Sequence, residues 1–383
     1  MKFLHTADWH VGKTVKGQSR LDEHRAVLAD IVRIADTERA DLVLVAGDVY
    51  ETAAPNPDAE ALVLQTLLDL RDTGAKVIAI AGNHDNAHRF EAVRPLFAAL
   101  GVTVMGMPRR PDDGGVIELD CAGGDSARIA MLPFCSQRSV IRTAQLMELD
   151  AGQLAGAYDE RMRQVIAHLT QRFTDDAVNI VTAHGMVTGA LLGGGERTAQ
   201  TYMDYWIGAA AFPAHAHYVA LGHVHRTQQV GGAAPIWYPG SPIQVDFGDS
   251  DQSSVVLIVE ATPNTPAQLR EVAVTGGRNL RTLRGSLEQL RELAGTTGDD
   301  FLRVRVEEPK RVGLAEDVRE LLGAGVVEVR IESTDATTGG PTREARLIGR
   351  TPHELFATYL AEQGIADERL PQLFAELLDE ATV

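Results

Sequence analysis

Five short apolar runs in this chain stop on Asp, Asn or His, and no other feature constrains the fold as much. "KFLHTADWH" ends in Asp8 and His10, "DLVLVAGD" in Asp48, and "VIAIAGNHD" in Asn83, His84 and Asp85. "NIVTAHG" delivers His184, and "YVALGHVHR" delivers His223 and His225. A Val/Ile-rich run of this length bounded by Gly reads as a buried strand. Its tip is a costly place for polar side chains unless something there binds them. Helical patterns lie between the runs, as in Leu21 to Ala35, where Val27, Leu28, Ile31, Val32 and Ile34 recur at helical spacing. Strands alternating with helices imply an α/β layered fold, in which ligands collect outside the carboxyl ends of the strands. All five polar tips belong to that edge.

Side chains limited to Asp, Asn and imidazole suit divalent ions such as manganese, iron or zinc in five- or six-fold coordination. Cys121 and Cys135 are the only cysteines, too few for a cysteine zinc site or a disulfide framework. Asp8, His10, Asp48, Asn83, His184, His223 and His225 are too many ligands for one ion. Two ions about 3.5 to 4 Å apart that share one carboxylate use all of them, the usual apparatus of in-line phosphoryl displacement. Asp48 is the natural bridge because it stands alone on its tip, whereas the first tip offers Asp-x-His and the last His-x-His. Each element taken singly has a plainer reading as a helix cap or a left-handed turn. Five strand tips in order, each carrying a metal-compatible residue, are hard to produce by turn chemistry alone.

At 383 residues, 44% of them apolar, the chain is long enough for two or more domains. Its formal charge of −17 argues against bulk attraction to nucleic acid, so any phosphate chemistry has to be local. Neither an apolar leader nor a run of about 18 apolar residues is present, and the expectation is a cytoplasmic protein with no membrane partner.

"DWHVG", "GDVYE", "GNHD", "AHG" and "GHVH" resemble the five signature motifs of the calcineurin-like metallophosphoesterases. "LHTADWHVGK", "AGDVYET", "AGNHDN" and "YVALGHVHR" resemble, more narrowly, the SbcD family of double-strand-break nuclease subunits. The resemblance covers most of Met1 to Gly248 and the tail more loosely. It implies a four-layer fold of two mixed β-sheets flanked by helices, with a small α+β capping domain and C-terminal amphipathic helices. It also implies two Mn2+ ions, with Mg2+, Fe2+ or Zn2+ as substitutes. Asp8, His10, Asp48 and His225 fall to one ion, and Asp48, Asn83, His184 and His223 to the other. His84 becomes a catalytic residue facing the phosphate, where it steadies developing charge or protonates the leaving oxygen. The plainer alternative is a structural histidine. Asp85 either orients His84 or caps the segment that follows. Archaeal relatives place a second histidine three residues after the bridging Asp, where this chain has Glu51. A Glu cannot donate a proton at neutral pH unless its pKa is raised.

The implied activity is that of a manganese-dependent DNA nuclease in repair, recombination and replication. It would act as a 3'-5' exonuclease on duplexes and an endonuclease on single strands and hairpins. Its partners would be DNA and the SbcC ATPase, in a heterotetramer of two SbcC and two SbcD chains with an SbcD homodimer, cleaving duplex ends with ATP. Two other readings compete. A small-molecule phosphodiesterase or phosphoprotein phosphatase would keep the ions but has no use for a capping domain. The phosphatase would also carry Asp-Arg-Gly where this chain has "ETA". A scaffold with structural metals would be expected to close its coordination sphere, which these ligands leave open.

The expected domains are a nuclease domain over 1–270, a capping domain over 278–335, a linker over 336–350 and partner-binding helices over 351–383. "ATPNTPAQ", Ala261 to Gln268, reads as a Pro/Thr connector. "NLRTL", "SLEQLRELA", "FLRVRVEE", "LAEDVRELLGAG" and "VVEVRIE" read as β-α-β-α-β. The tail places Leu355, Phe356, Tyr359 and Leu360 on one stripe and Leu370, Leu373, Phe374, Leu377 and Leu378 on another, against an acidic back. Lys13, Lys16, Arg20 and Arg25 after the first motif either hold a DNA backbone or solvate a loop. "WYPGSPIQVDFG" is similar to a family loop near the active site. His5 is expected in the core and His215 and His217 on a surface loop. His24, His88, His168 and His353 have no partner spacing.

Overall fold

In the apolar runs, neighbouring residues face different layers. Phe3, Leu42, Leu44, Ile78 and Ile80 belong to one core, while Leu4, Val43, Val45, Val77 and Ala79 belong to another. A strand apolar on both faces has to be covered on both faces, and the computed structural model shows how. It describes residues 1–121, 124–147, 158–193, 205–249, 252–332, 352–362, 365, 367 and 369–381.

The first sheet has six strands in the order Thr265–Ala273, Val255–Thr262, Lys2–Thr6, Leu42–Val45, Lys76–Ile80, Val102–Met105. The last four run parallel, and the first two join as antiparallel edge strands. The second sheet orders Gln228–Val230, Ile236–Tyr238, Tyr218–Gly222, Ala177–His184, Ser126–Leu132 and Val116–Asp120, again with four parallel strands at its centre. The sheets face each other through Phe3, Leu44, Ile78, Ile129, Ile180 and Tyr218. Helices Leu21–Glu38, Pro57–Asp72 and Ala87–Ala99 cover the outer side of the first, and Tyr158–Thr170 covers that of the second. The expected four-layer arrangement of two mixed sheets flanked by helices is the observed one.

His5 lies fully buried between the sheets, as expected. Its Nε2 donates to the Leu221 carbonyl at 3.1 Å and its Nδ1 accepts from the Tyr218 hydroxyl at 3.1 Å. A carbonyl can only accept, which fixes the tautomer.

The expected connector Ala261–Gln268 is a correction. It forms the turn of the antiparallel hairpin between Val255–Thr262 and Thr265–Ala273, with a register shift between Glu260 and Thr262. Pro266 fits there because Thr265–Ala273 is an edge strand and lacks a neighbour on one side.

The chain forms two compact units. One comprises Met1–Thr14 and Ser19–Gly277, the other Val15–Gln18 and the chain from Arg278 onward. In the second, Leu280–Gly285, Phe301–Val306 and Val326–Ile331 make a parallel sheet in sequence order, linked by helices Leu287–Glu292 and Leu314–Leu322. Ser286 and Gln289 close a reciprocal cap on the first of these helices. Leu283, Leu290, Val304, Val306, Leu314 and Val318 form this unit's core. The stretch 336–350, expected as a linker, lies outside the described residues. Beyond it, helices Pro352–Glu362 and Arg369–Ala381 meet through Phe356 and Phe374, stacked at 4.1 Å and 12°. Tyr359, Leu373 and Leu377 are 51%, 49% and 52% exposed.

Candidate metal centre

The carboxyl ends of the central parallel strands in both sheets deliver the loops that carry the polar tips. Asp8 N donates to Gly47 O, His10 N to Asp48 O and Val11 N to Val49 O, each at 3.0 Å, so the first two loops zip together. Asp8, His10, Asp48 and His223 have φ of 54°, 49°, 51° and 108°. Such left-handed conformations cost non-glycine residues about 1–3 kcal/mol each and persist where surroundings over-determine them, typically at functional sites. Gly82 shows how close the loops lie. A Cβ there would collide with the Asp48 carboxylate and backbone nitrogen, so only glycine fits.

The structure brings all seven expected ligand residues and His84 into one buried centre. His10 Nε2 and His225 Nε2 stand 3.0 Å apart. Asn83 Oδ1 stands 2.9 Å from His184 Nε2 and 2.7 Å from His223 Nδ1. Asp48 Oδ2 lies between the groups, 3.5 Å from His184 Nε2 and 3.9 Å from His10 Nε2. Ligand atoms of Asp8, His10 and His225, of Asp48, His184 and His223, and of His10, Asp48 and His84 lie within 4.8 Å of one another in each trio. The donor set fits divalent ions with oxygen and imidazole preference. Its spacing fits as well: adjacent ligands about 2.1 Å from an octahedral ion stand about 3.0 Å apart, against about 3.4 Å for a tetrahedral one.

Electrostatics at the centre follow from burial. Burial pushes the Asp8 carboxyl up to about 7, against the charges of His184 and His225. Burial also works to raise Asp48, but the charges of His184, His84 and His10 outweigh it and hold that carboxyl well below the usual range. His184 is raised to about 9, burial being outweighed by Asp48 and Asp8. Burial drives His10 down to about 3 and, with the charge of His184, drives His223 far down as well. Two neutral imidazoles and an ionised carboxylate thus face each other in a dry pocket, a lone-pair-rich setting suited to a cation.

The surrounding contacts fix the donors. His184 Nδ1 donates to the Ala46 carbonyl at 2.8 Å, which leaves Nε2 for the centre. His84 N donates to Asp48 Oδ1 at 2.8 Å and its Nδ1 to the Glu51 carbonyl at 2.7 Å. Asp85 takes neither expected role. It accepts from the amides of Gly82, Tyr50 and Val49, tying two loops, and Asn86 supplies the cap on Ala87–Ala99. Ser241, in the Trp237 to Gly248 stretch, donates through Oγ to Asp8 O at 2.7 Å.

Phe134 and Asp249 carried no sequence signal. The Phe134 ring stacks on His223 at 6.4 Å and 14° and meets His184 edge-on at 6.3 Å. Only its place after the apolar run "ARIAML" hints at a strand tip. Asp249 Oδ2 lies 3.8 Å from His225 Nδ1 and is held by the amides of Val245 and Asp246.

Arg20 is a correction among the basic residues offered to DNA. It is buried, paired with Glu23 at 2.7 Å and bound to the Gln244 carbonyl. Lys13 pairs with Glu51, Lys16 with Glu328 and Arg25 with Asp22. Of the histidines set aside, His215 is exposed, whereas His217 is half-buried between the Asn179 amide and the Pro263 carbonyl. His24 is buried in its helix and bonds the Arg20 carbonyl, and the His353 side chain lies outside the described residues.

Residues 1–227 match the family model described as calcineurin-like phosphoesterase. That is the class this fold and this centre define. Residues 277–364 match the model described as the type 5 capsule protein repressor C-terminal domain. The SbcD subunit of nuclease SbcCD from Bacillus subtilis (strain 168) is 37% identical over 287 residues, 73% of this chain and 71% of that protein. The proteins of the same name from Escherichia coli (strain K12) and Rhodobacter capsulatus are 30% and 36% identical. They cover 76% and 68% of this chain, and the matches span 72% and 66% of their own lengths. The chain belongs to the calcineurin-like phosphoesterases and, within them, to the family of SbcD subunits of nuclease SbcCD.

Proposed function

We propose that the chain is the manganese-dependent nuclease subunit of an SbcC-SbcD-type complex and hydrolyses DNA phosphodiester bonds at this centre. The observation that carries the reading is the convergence of Asp8, His10, Asp48, Asn83, His184, His223 and His225 at octahedral spacing. Asp8, His10, Asp48 and His225 would hold one ion, and Asp48, Asn83, His184 and His223 the other. Two divalent ions bound there supply the positive charge that polarises a phosphate and lowers the pKa of water. The chain's own residues do the rest. Asp48 fixes the separation of the two ligand groups and orients the His84 main chain. His84, its Nδ1 held by a carbonyl, has Nε2 to give a proton to the oxygen leaving phosphorus. Phe134 walls one side against water.

The relatives' name supports DNA as substrate and an SbcC ATPase as partner. The outward Tyr359, Leu373 and Leu377 of the terminal helices have the form of a helix-in-groove ligand for that ATPase. Leu96 and Leu100, 67% and 46% exposed at the end of helix Ala87–Ala99, suit a contact between two copies. Two SbcC and two SbcD chains would then assemble in the cytoplasm, and ATP would gate duplex ends for 3'-5' resection while single strands and hairpins are cut endonucleolytically. Among the described residues no helix is long and apolar enough to cross a membrane. The test compares Mn2+-dependent cleavage of duplex DNA with hydrolysis of bis-p-nitrophenyl phosphate. Cleavage of both is expected; hydrolysis of the small ester with DNA left intact would favour a small-molecule phosphodiesterase.

A further inference from the structure

We propose that Glu51 is the positioning residue of the centre, fixing with its carboxylate and its main-chain carbonyl the hydrogen-bonding states of His10 and His84. The inference rests on the two-ion reading above and assigns a role at the position where the archaeal pattern has a second histidine.

Both ends of Glu51 are engaged. Its Oε2 accepts from His10 Nδ1 at 3.0 Å, its Oε1 from Lys13 Nζ at 2.8 Å, and its carbonyl from His84 Nδ1 at 2.7 Å. Its own amide donates to Val11 O at 3.1 Å, which anchors the residue to the loop carrying His10. With Nδ1–H given to a carboxylate, His10 presents a lone pair at Nε2, the atom 3.0 Å from His225 Nε2. A carboxylate behind a ligating imidazole fixes its orientation and raises its basicity, and its loss typically weakens metal binding 10- to 100-fold.

The arrangement is lopsided in a useful way. Glu51 stands behind His10 and Asp249 near His225, so the two imidazoles of one ion face carboxylates. In the other group His184 has a neutral carbonyl, that of Ala46. Glu51 therefore acts on one ion of the two. It also spaces His84 from that ion's ligands: the His10 and His84 rings meet edge to face at 4.7 Å, each tied to a different atom of the same residue. A Glu51 that served only to tether Lys13 would have none of these effects, and Lys13→Met would then reproduce the loss of Glu51.

The test is Mn2+ titration by calorimetry on the full-length, metal-stripped chain. Wild type is expected to bind two ions. Glu51→Ala should bind one as wild type does and the other about 10- to 100-fold more weakly, with hydrolysis of bis-p-nitrophenyl phosphate recovering at high Mn2+. Glu51→Gln, whose amide oxygen still accepts from His10, should lose less, and Lys13→Met should keep both affinities within a few-fold. Wild-type affinity for both ions in Glu51→Ala overturns the proposal, as does equal weakening of both ions in Glu51→Ala and Glu51→Gln. Lys13→Met losses that match those of Glu51→Ala overturn it too. Fewer than two ions on the wild type overturns the two-ion reading itself, and the proposal with it.

Discussion

A histidine whose Nδ1 donates to a carbonyl does its proton chemistry through Nε2, and His84 is in that position. If Nε2 serves the leaving oxygen, His84→Ala should keep both ions and lose about two to four powers of ten in cleavage rate. Metal analysis beside single-turnover kinetics checks this, and loss of the ions together with the activity would make His84 a ligand. His5 makes a prediction of a different kind. Burial lowers its pKa to about 3, partly offset by the bond to the Leu221 carbonyl, from an ordinary 6.5 in the unfolded chain. Between those values the unfolded chain binds a proton that the folded chain refuses. Stability is therefore lost as pH falls through 6.5, and His5 adds no pH dependence above it. His5→Gln, which can keep both hydrogen bonds, should flatten the fall in urea-unfolding stability below pH 6.5 by up to one proton, about 1.4 kcal/mol per pH unit. Parallel slopes for the two proteins would show that His5 is not the group that titrates.

At the scale of elements, the sites that could be found from sequence were those where two rules collided. An apolar run that ends on Asp48 or Asn83 violates burial unless a ligand waits there, so the strand tips declared themselves. Phe134 violates nothing at the end of its strand, and Glu51 and Asp249 look like ordinary surface carboxylates until the fold sets them behind His10 and His225. Arg20 misled in the other direction, because the Glu23 and Gln244 groups that bury it come from a helix turn and a distant loop. Pro266 marked a connector only because sequence does not say which strand lies at an edge. The β-α-β-α-β pattern after Asn279 was legible because each strand and helix there keeps its own period. The terminal helices carry the prediction at this scale. A chain stopped at Arg350 should fold, bind two ions and cleave single strands, but no longer co-purify with SbcC or gain ATP-dependent activity on blocked duplex ends. A truncated chain that still forms the complex would move the interface elsewhere, and one that aggregates would place the helices in the protein's own core.

For the molecule as a whole, a net charge of −17 and a phosphodiester substrate are reconciled only if positive charge is concentrated where the phosphate sits. Both sheets direct their strand tips to that place, and the side chains gathered there are donors for cations rather than cations themselves. The centre's charge then comes from the ions, and Asp48, between the two ligand groups, is the residue both depend on. Elemental analysis of the purified protein and of Asp48→Ala tests this most directly. The account predicts two divalent ions per wild-type chain and none on the variant; one ion on the wild type, or a variant that keeps both, would contradict it.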